Sequence, residues 1–200
     1  MDFEETGLLS VNGFVLDDVQ QAPLPVTRWE SVGGTLKHWA EIESIISRHS
    51  LIDSASHGEI LSEFARMGSP ELRDHKTNLY HDWKSFLLQK GRWLFQPNRP
   101  RTDESEEMHM FERGIVHTSR NRCFFIITTK SFGFGPPTMQ EGDVLAILAG
   151  LDVPAILRPS ELHPEDYEFV GEAAVYGIMK GEAIHKMRAE GREWDRIRLW

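Results

Sequence analysis

Apolar positions along the chain change their period near residue 120, and that change sets the expected architecture. Before it, apolar residues recur at helical spacing. Leu36, Trp39, Ile42 and Ile46 fall on one face. Ser56 and Glu59 match a capping box, ahead of an apolar face of Ile60, Leu61, Phe64 and Ala65. Gly68 suits the left-handed position that ends such a helix, and Ser69-Pro70 restarts the chain. A third helix carries Leu72, Leu79, Tyr80, Trp83, Phe86 and Leu87 and stops at Gly91, with a polar first half that can break it. A fourth is capped by Asp103 or Ser105 and buries Met108, Phe111 and Ile115. Its acidic start, Glu104, Glu106 and Glu107, suits the positive end of the helix dipole and needs no ligand to explain it.

After residue 120 the runs are short, apolar and β-branched. Strands are expected at 123–129, 144–148, 153–158, 167–176 and 194–200, with a turn at Gly133–Pro137 and a short helix at 181–189. In the last strand Ile197 and Leu199 face one way, and Arg196 and Arg198 the other. One more strand opens the chain at Leu8–Leu16, with Gly13 marking a bend or bulge, and a loop holding Pro23 and Pro25 follows. Short sequential strands with tight turns predict an antiparallel sheet curled into a small barrel of about five to seven strands. The N-terminal strand pairs with the C-terminal one to close it. The class is α+β in a single domain over 1–200. Residues 1–32 supply the first strand and loop, 33–117 a long helical insertion packed outside, and 120–200 the main barrel strands.

Composition narrows the function. The 200 residues hold 22 Lys and Arg against 31 Asp and Glu, a net charge of −9. That balance argues against a nucleic-acid partner, which needs clustered cations. The likeliest local basic cluster is the tail, Arg188, Arg192, Arg196 and Arg198, with a solvated face as the plain alternative. No apolar run approaches the length of a membrane helix, and the acidic start lacks the basic and apolar regions of a secretory signal. The single Cys123 forms no internal disulfide, so a reducing, cytoplasmic setting is expected. It starts an apolar strand and is expected in the core.

Candidate chemistry is sparse. Gly133-Phe134-Gly135 lacks the third glycine and the helix start of a dinucleotide loop, so no cofactor is expected. His81, Asp82, His109 and His117 come closest to metal spacing, but no His-x-x-x-His pattern exists and no metal is expected. The polar residues of most interest are Glu172, Arg158 and Tyr176. Placed inward, Glu172 would need Arg158 as partner, and with Tyr176 the three would form an acid/base centre. A structural ion pair explains the same residues without catalysis.

Several motifs recur in one order. They are Arg122-x-Phe124-Phe125-x-x-Thr128, Gly133-x-Gly135-x-Pro137, Gly142-Asp143-Val144, Gly150, Pro154-x-x-Leu157-Arg158, Val170-Gly171-Glu172 and Gly177-Ile178-Met179-x-Gly181-Glu182, preceded by Val11-x-Gly13-x-Val15-x-Asp17. Together they resemble the C-terminal barrel region of fungal heterokaryon-incompatibility (HET) proteins. The residues themselves read largely as architecture. Gly133, Gly135 and Gly142 suit turn dihedrals, Gly171 a close backbone approach, and Asp143 a side-chain turn cap. Ala174 and Tyr176 depart from the aromatic and histidine usual in the family, leaving space that Trp39 or Trp83 fills or that forms a pocket. The family's N-terminal cell-death domain has no counterpart in these residues. The resemblance therefore implies a stand-alone cytoplasmic module for partner recognition or regulation, related to fungal allorecognition. The alternative is a cofactor-independent cyclase or isomerase acting on an apolar small molecule in the barrel, with Phe124, Phe132, Phe134, Trp83 and Trp93 as lining. Its partner is thus a protein or an apolar small molecule.

Overall fold

The organising element is one long strand. In the computed structural model, which describes residues 2–3, 8–21, 42, 44–45, 54–69, 72, 106–129, 131–163 and 165–200, strand β2 runs over Leu9–Gln21. It follows a two-residue strand β1 (Asp2–Phe3), which pairs with Leu9 and Ser10. The later strands are β3 (Cys123–Ile127), β4 (Phe132–Gly135), β5 (Val144–Leu148), β6 (Ala155–Pro159), β7 (Asp166–Glu172), β8 (Ala174–Val175) and β9 (Asp195–Leu199). Three helices are described: α1 (Ser54–Gly68), α2 (Glu106–Ser119) and α3 (Glu182–Ala189). The α+β class is as expected. None of these helices is long and apolar enough to cross a membrane.

Strand β2 has three long partners. Leu9–Gly13 pairs with β9, Gly13–Asp18 with β5, and Val19 and Gln21 with β3. Since β5 pairs β6, β6 pairs β7 and β7 pairs β9, the ladders return to β2 and close a ring of five strands. The expected pairing of the first and last long strands is therefore present. Gly13 is the pivot, facing Leu148 and Asp195 at once. A Cβ there would lie 2.7 Å from the Ile147 carbonyl oxygen and 2.8 Å from the Ile197 side chain. The bulge expected at Gly13 sits instead at Val15–Asp17.

The sheet is mixed, not wholly antiparallel. β7 and β9 run parallel, because the chain between them crosses over through β8 and α3. The strand expected over 167–176 is split at Ala173. Its first part pairs β6 and β9, its second pairs β4. The turn expected at Gly133–Pro137 is largely strand β4, which is fully buried. Gly133 has no Cβ because the Phe125 ring would lie 2.6 Å from it, and Gly135 faces Met139 Sδ at 2.6 Å in the same sense. Close packing, not turn geometry, requires both. Gly142 does have the expected positive φ of 89°.

Val11, Val144, Ala146, Leu148, Ala155, Leu157, Ile197 and Leu199 form one apolar cluster drawn from ring strands. Leu145 and Ile156, on the other face of β5 and β6, join Cys123, Phe125, Ile127 and Val175 in a second. Burial on both faces explains the uninterrupted apolar run of β5. A third cluster sets Ala183 and Met187 of α3 against Phe14 and Ile147.

The chain divides into two compact units. One combines Met1–Thr27 with Asn121–Trp200, and the other is Arg28–Arg120. Within the second, α1 and α2 cross closely at Gly68 and Gly114, where a Cβ on either would run into the other helix's backbone. Thr118 Oγ1 donates across to the Phe64 carbonyl at 2.7 Å. Gly68 does not take a left-handed φ, so the crossing is its reason. Helix α1 starts at Ser54, which places Ser56 inside it and not at a cap. The expected faces keep buried Ile42, Leu72, Phe111 and Ile115. Leu36, Trp39, Ile46, most of the third helix with Trp83, Trp93, both loop prolines Pro23 and Pro25, and the caps Asp103 and Ser105 lie outside the described residues, as does the Met108 side chain.

Candidate functional site

The strongest polar cluster centres on a buried acid, Asp143, in the turn before β5. Its Oδ2 accepts from Gln140 N at 2.7 Å, so the side chain closes its own turn as expected. Gly142, at φ 89°, lets its N–H reach the Val19 carbonyl at 3.2 Å. Arg158 on β6 then donates Nε to Asp143 Oδ1 at 2.8 Å and Nη2 to Oδ2 at 3.0 Å. The same Nη2 donates to the Thr138 carbonyl at 2.8 Å. The hydrogen bonds it donates to Asp143 hold the Arg158 guanidinium above its usual range, against the opposing effect of burial, with the Asp143 and Glu168 charges adding to the rise. This is a two-pronged clamp on the 138–143 turn.

The register sets which acid meets Arg158. Arg158 faces Glu168, whose Oε2 lies 3.8 Å from Nη1, whereas Glu172 faces Ala155. Three residues of strand separate the two positions, roughly 10 Å. Glu172 is exposed, not turned inward. Tyr176 is half-buried beyond the Ala173 break, with its N–H on the Phe132 carbonyl at 2.9 Å. The structure thus joins Arg158 to Asp143 and does not bring Glu172, Arg158 and Tyr176 into one centre. Ala174 is buried opposite Phe134, and its carbonyl would lie 2.8 Å from a Cβ on Gly133, so the small residue sits under a closely packed β4. Cys123 is buried, its Sγ 3.8 Å from the Pro137 carbonyl. His117 is exposed near the end of α2, and among the described residues no His, Cys, Asp and Glu group could hold a metal ion.

A second polar region was not foreseen as a site. Asp166, buried at the start of β7, lies 2.6 Å from Arg198 Nε, off the line of a directed hydrogen bond. Glu165 takes Arg198 Nη2 at 3.3 Å. Beside them opens a cleft of about 590 Å³, lined by Ser10, Val15, Glu165, Tyr167, Arg192, Asp195, Arg196, Ile197 and Arg198. Arg196 Nε donates to Ser10 Oγ at 2.9 Å. Arg192 stands 5.7 Å over the Phe14 ring, which also meets Trp194 at 5.4 Å. Helix α3 positions Arg192 through its end. Gly191 takes φ 68°, and Arg192 N reaches back to the Met187 carbonyl at 3.0 Å. The Arg188–Arg198 cluster in the tail was the available signal. What hid the cleft was that Glu165 and Tyr167, which line it, come from about thirty residues earlier in the chain.

Comparison with known proteins gives one result. Residues 101–194, just under half the chain, match the family model of the Het-6 beta-barrel domain. No curated protein and no solved structure matches. Over those residues the chain is similar to that domain, which is consistent with a C-terminal barrel region of the heterokaryon-incompatibility type.

Proposed function

We propose that the chain is a HET-type barrel module that recognises or regulates a partner, related to proteins of fungal allorecognition. The observation that carries this is the Het-6 beta-barrel match over 101–194. The five-strand ring closed through β2 suits such a barrel, with the helical segment as an insertion in one domain. Arg158, the cationic candidate for catalysis, is taken up by Asp143 and Thr138 in holding a turn. Glu172 is exposed and lacks the desolvation that acid/base work calls for. Among the described residues, nothing in the geometry therefore favours a cyclase or isomerase. A cytoplasmic setting suits the lone buried Cys123.

The test is reconstitution. A protein captured by the chain in its native host is purified and mixed with it at equal concentration. The expected result is a complex of fixed stoichiometry that Glu172→Gln leaves intact. Turnover of an apolar small molecule, abolished by Glu172→Gln, with no such complex, would overturn the proposal.

A further inference from the structure

We propose that the face around the cleft beside β9 is an interface between two copies of this chain, related by a twofold axis. This goes beyond the module's recognition of another protein and does not depend on it. The face carries the two most exposed large apolar side chains among the described residues, Leu162 at 84% and Trp200 at 64%. Each lies within three residues of the cleft lining, Leu162 before Glu165 and Trp200 after Arg198. Leu162 is held on a braced turn. Ser160 Oγ accepts from the Leu162 and His163 amides at 3.3 and 3.2 Å. Asp166 closes the turn from its other end, donating its N–H to the His163 carbonyl at 2.8 Å and accepting from Ser160 N at 2.9 Å. An apolar side chain held out by such a turn loses little conformational freedom on docking. Trp, Tyr and Arg, which surround it here, are the residues that most often anchor protein interfaces.

The charges select a second copy as the occupant. At a net charge of −9, two copies repel each other over most of their surface. This face is balanced, with Arg192, Arg196 and Arg198 against Glu165, Asp166 and Asp195. A balanced patch can face itself across a twofold axis, where acids of one copy meet arginines of the other. The patch also holds both halves of a fit. Leu162 projects, and the cleft of about 590 Å³, walled in part by Val15, Tyr167 and Ile197, receives. Across the axis each Leu162 enters the other copy's cleft. The exposed Glu161 beside it then approaches Arg192, which stands over the Phe14 ring and which no acid engages among the described residues. Because both copies use the same patch, the assembly closes at two.

Sedimentation of the full chain alone, over a concentration series through the micromolar range, tests this. Dimers and no larger species are expected. Leu162→Ser and Trp200→Ser each weaken dimerisation about tenfold or more. Leu151→Ser, an exposed apolar residue at the opposite end of β6, changes it little. Arg192→Glu and Glu161→Arg each weaken it as well, and the chain carrying both recovers, a gain that misfolding cannot produce. A chain that stays monomeric throughout the range would assign the face to another protein and overturn the proposal. So would growth beyond the dimer, dimerisation of Leu162→Ser or Trp200→Ser like the parent, or a double charge swap that fails to recover.

Discussion

At the scale of single residues, the polar groups divide by what holds them. Arg158→Met leaves the Asp143 carboxylate buried without its cation, and is expected to cost about 3 kcal/mol of stability. Glu172→Gln, on an exposed carboxylate, should stay within about 0.5 kcal/mol of the parent. Urea unfolding of the two variants checks both. Asp17 adds a pH dependence. Burial raises its pKa, but bonds from the Thr129 side chain and amide, the Asp18 amide and Thr128 outweigh this and lower it. The stability it contributes is full above the ordinary aspartate pKa and is lost as pH falls through the depressed one. Asp17→Asn should therefore flatten the acid limb of a stability–pH curve and leave the neutral limb parallel. Residue types and their rough positions were legible in the sequence. The partner of Arg158 was not, because it depends on the β6–β7 register: Glu172 falls opposite Ala155, and a bulge at Val170 brings Glu168, not Phe169, opposite Arg158.

At the scale of elements, the strands β5, β6 and β9 and the helix α3 followed from apolar periodicity to within about two residues. What periodicity did not reveal was the purpose of the glycines. A local signal cannot distinguish a glycine needed for its dihedrals from one needed to make room. Gly13, Gly133, Gly68 and Gly114 belong to the second kind, since their neighbours come from distant sequence. Gly13→Ala is expected to destabilise by about 1–3 kcal/mol, as the new methyl meets a backbone oxygen that cannot yield. Gly191 is of the first kind, with open space around its Cβ position and a positive φ. Gly191→Ala should cost about 1 kcal/mol. Thermal melts of the two variants check both.

For the whole molecule, β2 explains why sequence from both ends of the chain builds one unit. Its thirteen residues serve β9, β5 and β3 in turn, so no segment after residue 120 completes the ring without it. The family match, which starts at residue 101, does not include this strand, although the motif Val11-x-Gly13-x-Val15-x-Asp17 points to it. Ring closure is also what places Arg196 and Arg198 at the cleft. Native-state hydrogen exchange tests closure most directly. If the ring is closed as described, the hydrogen-bonded amides of Leu9–Gly13 and Asp195–Leu199 open with the same free energy as those of β5 and β6, in one cooperative unit. Exchange of β9 at nearly the free-peptide rate, while β5 and β6 stay protected, would contradict it.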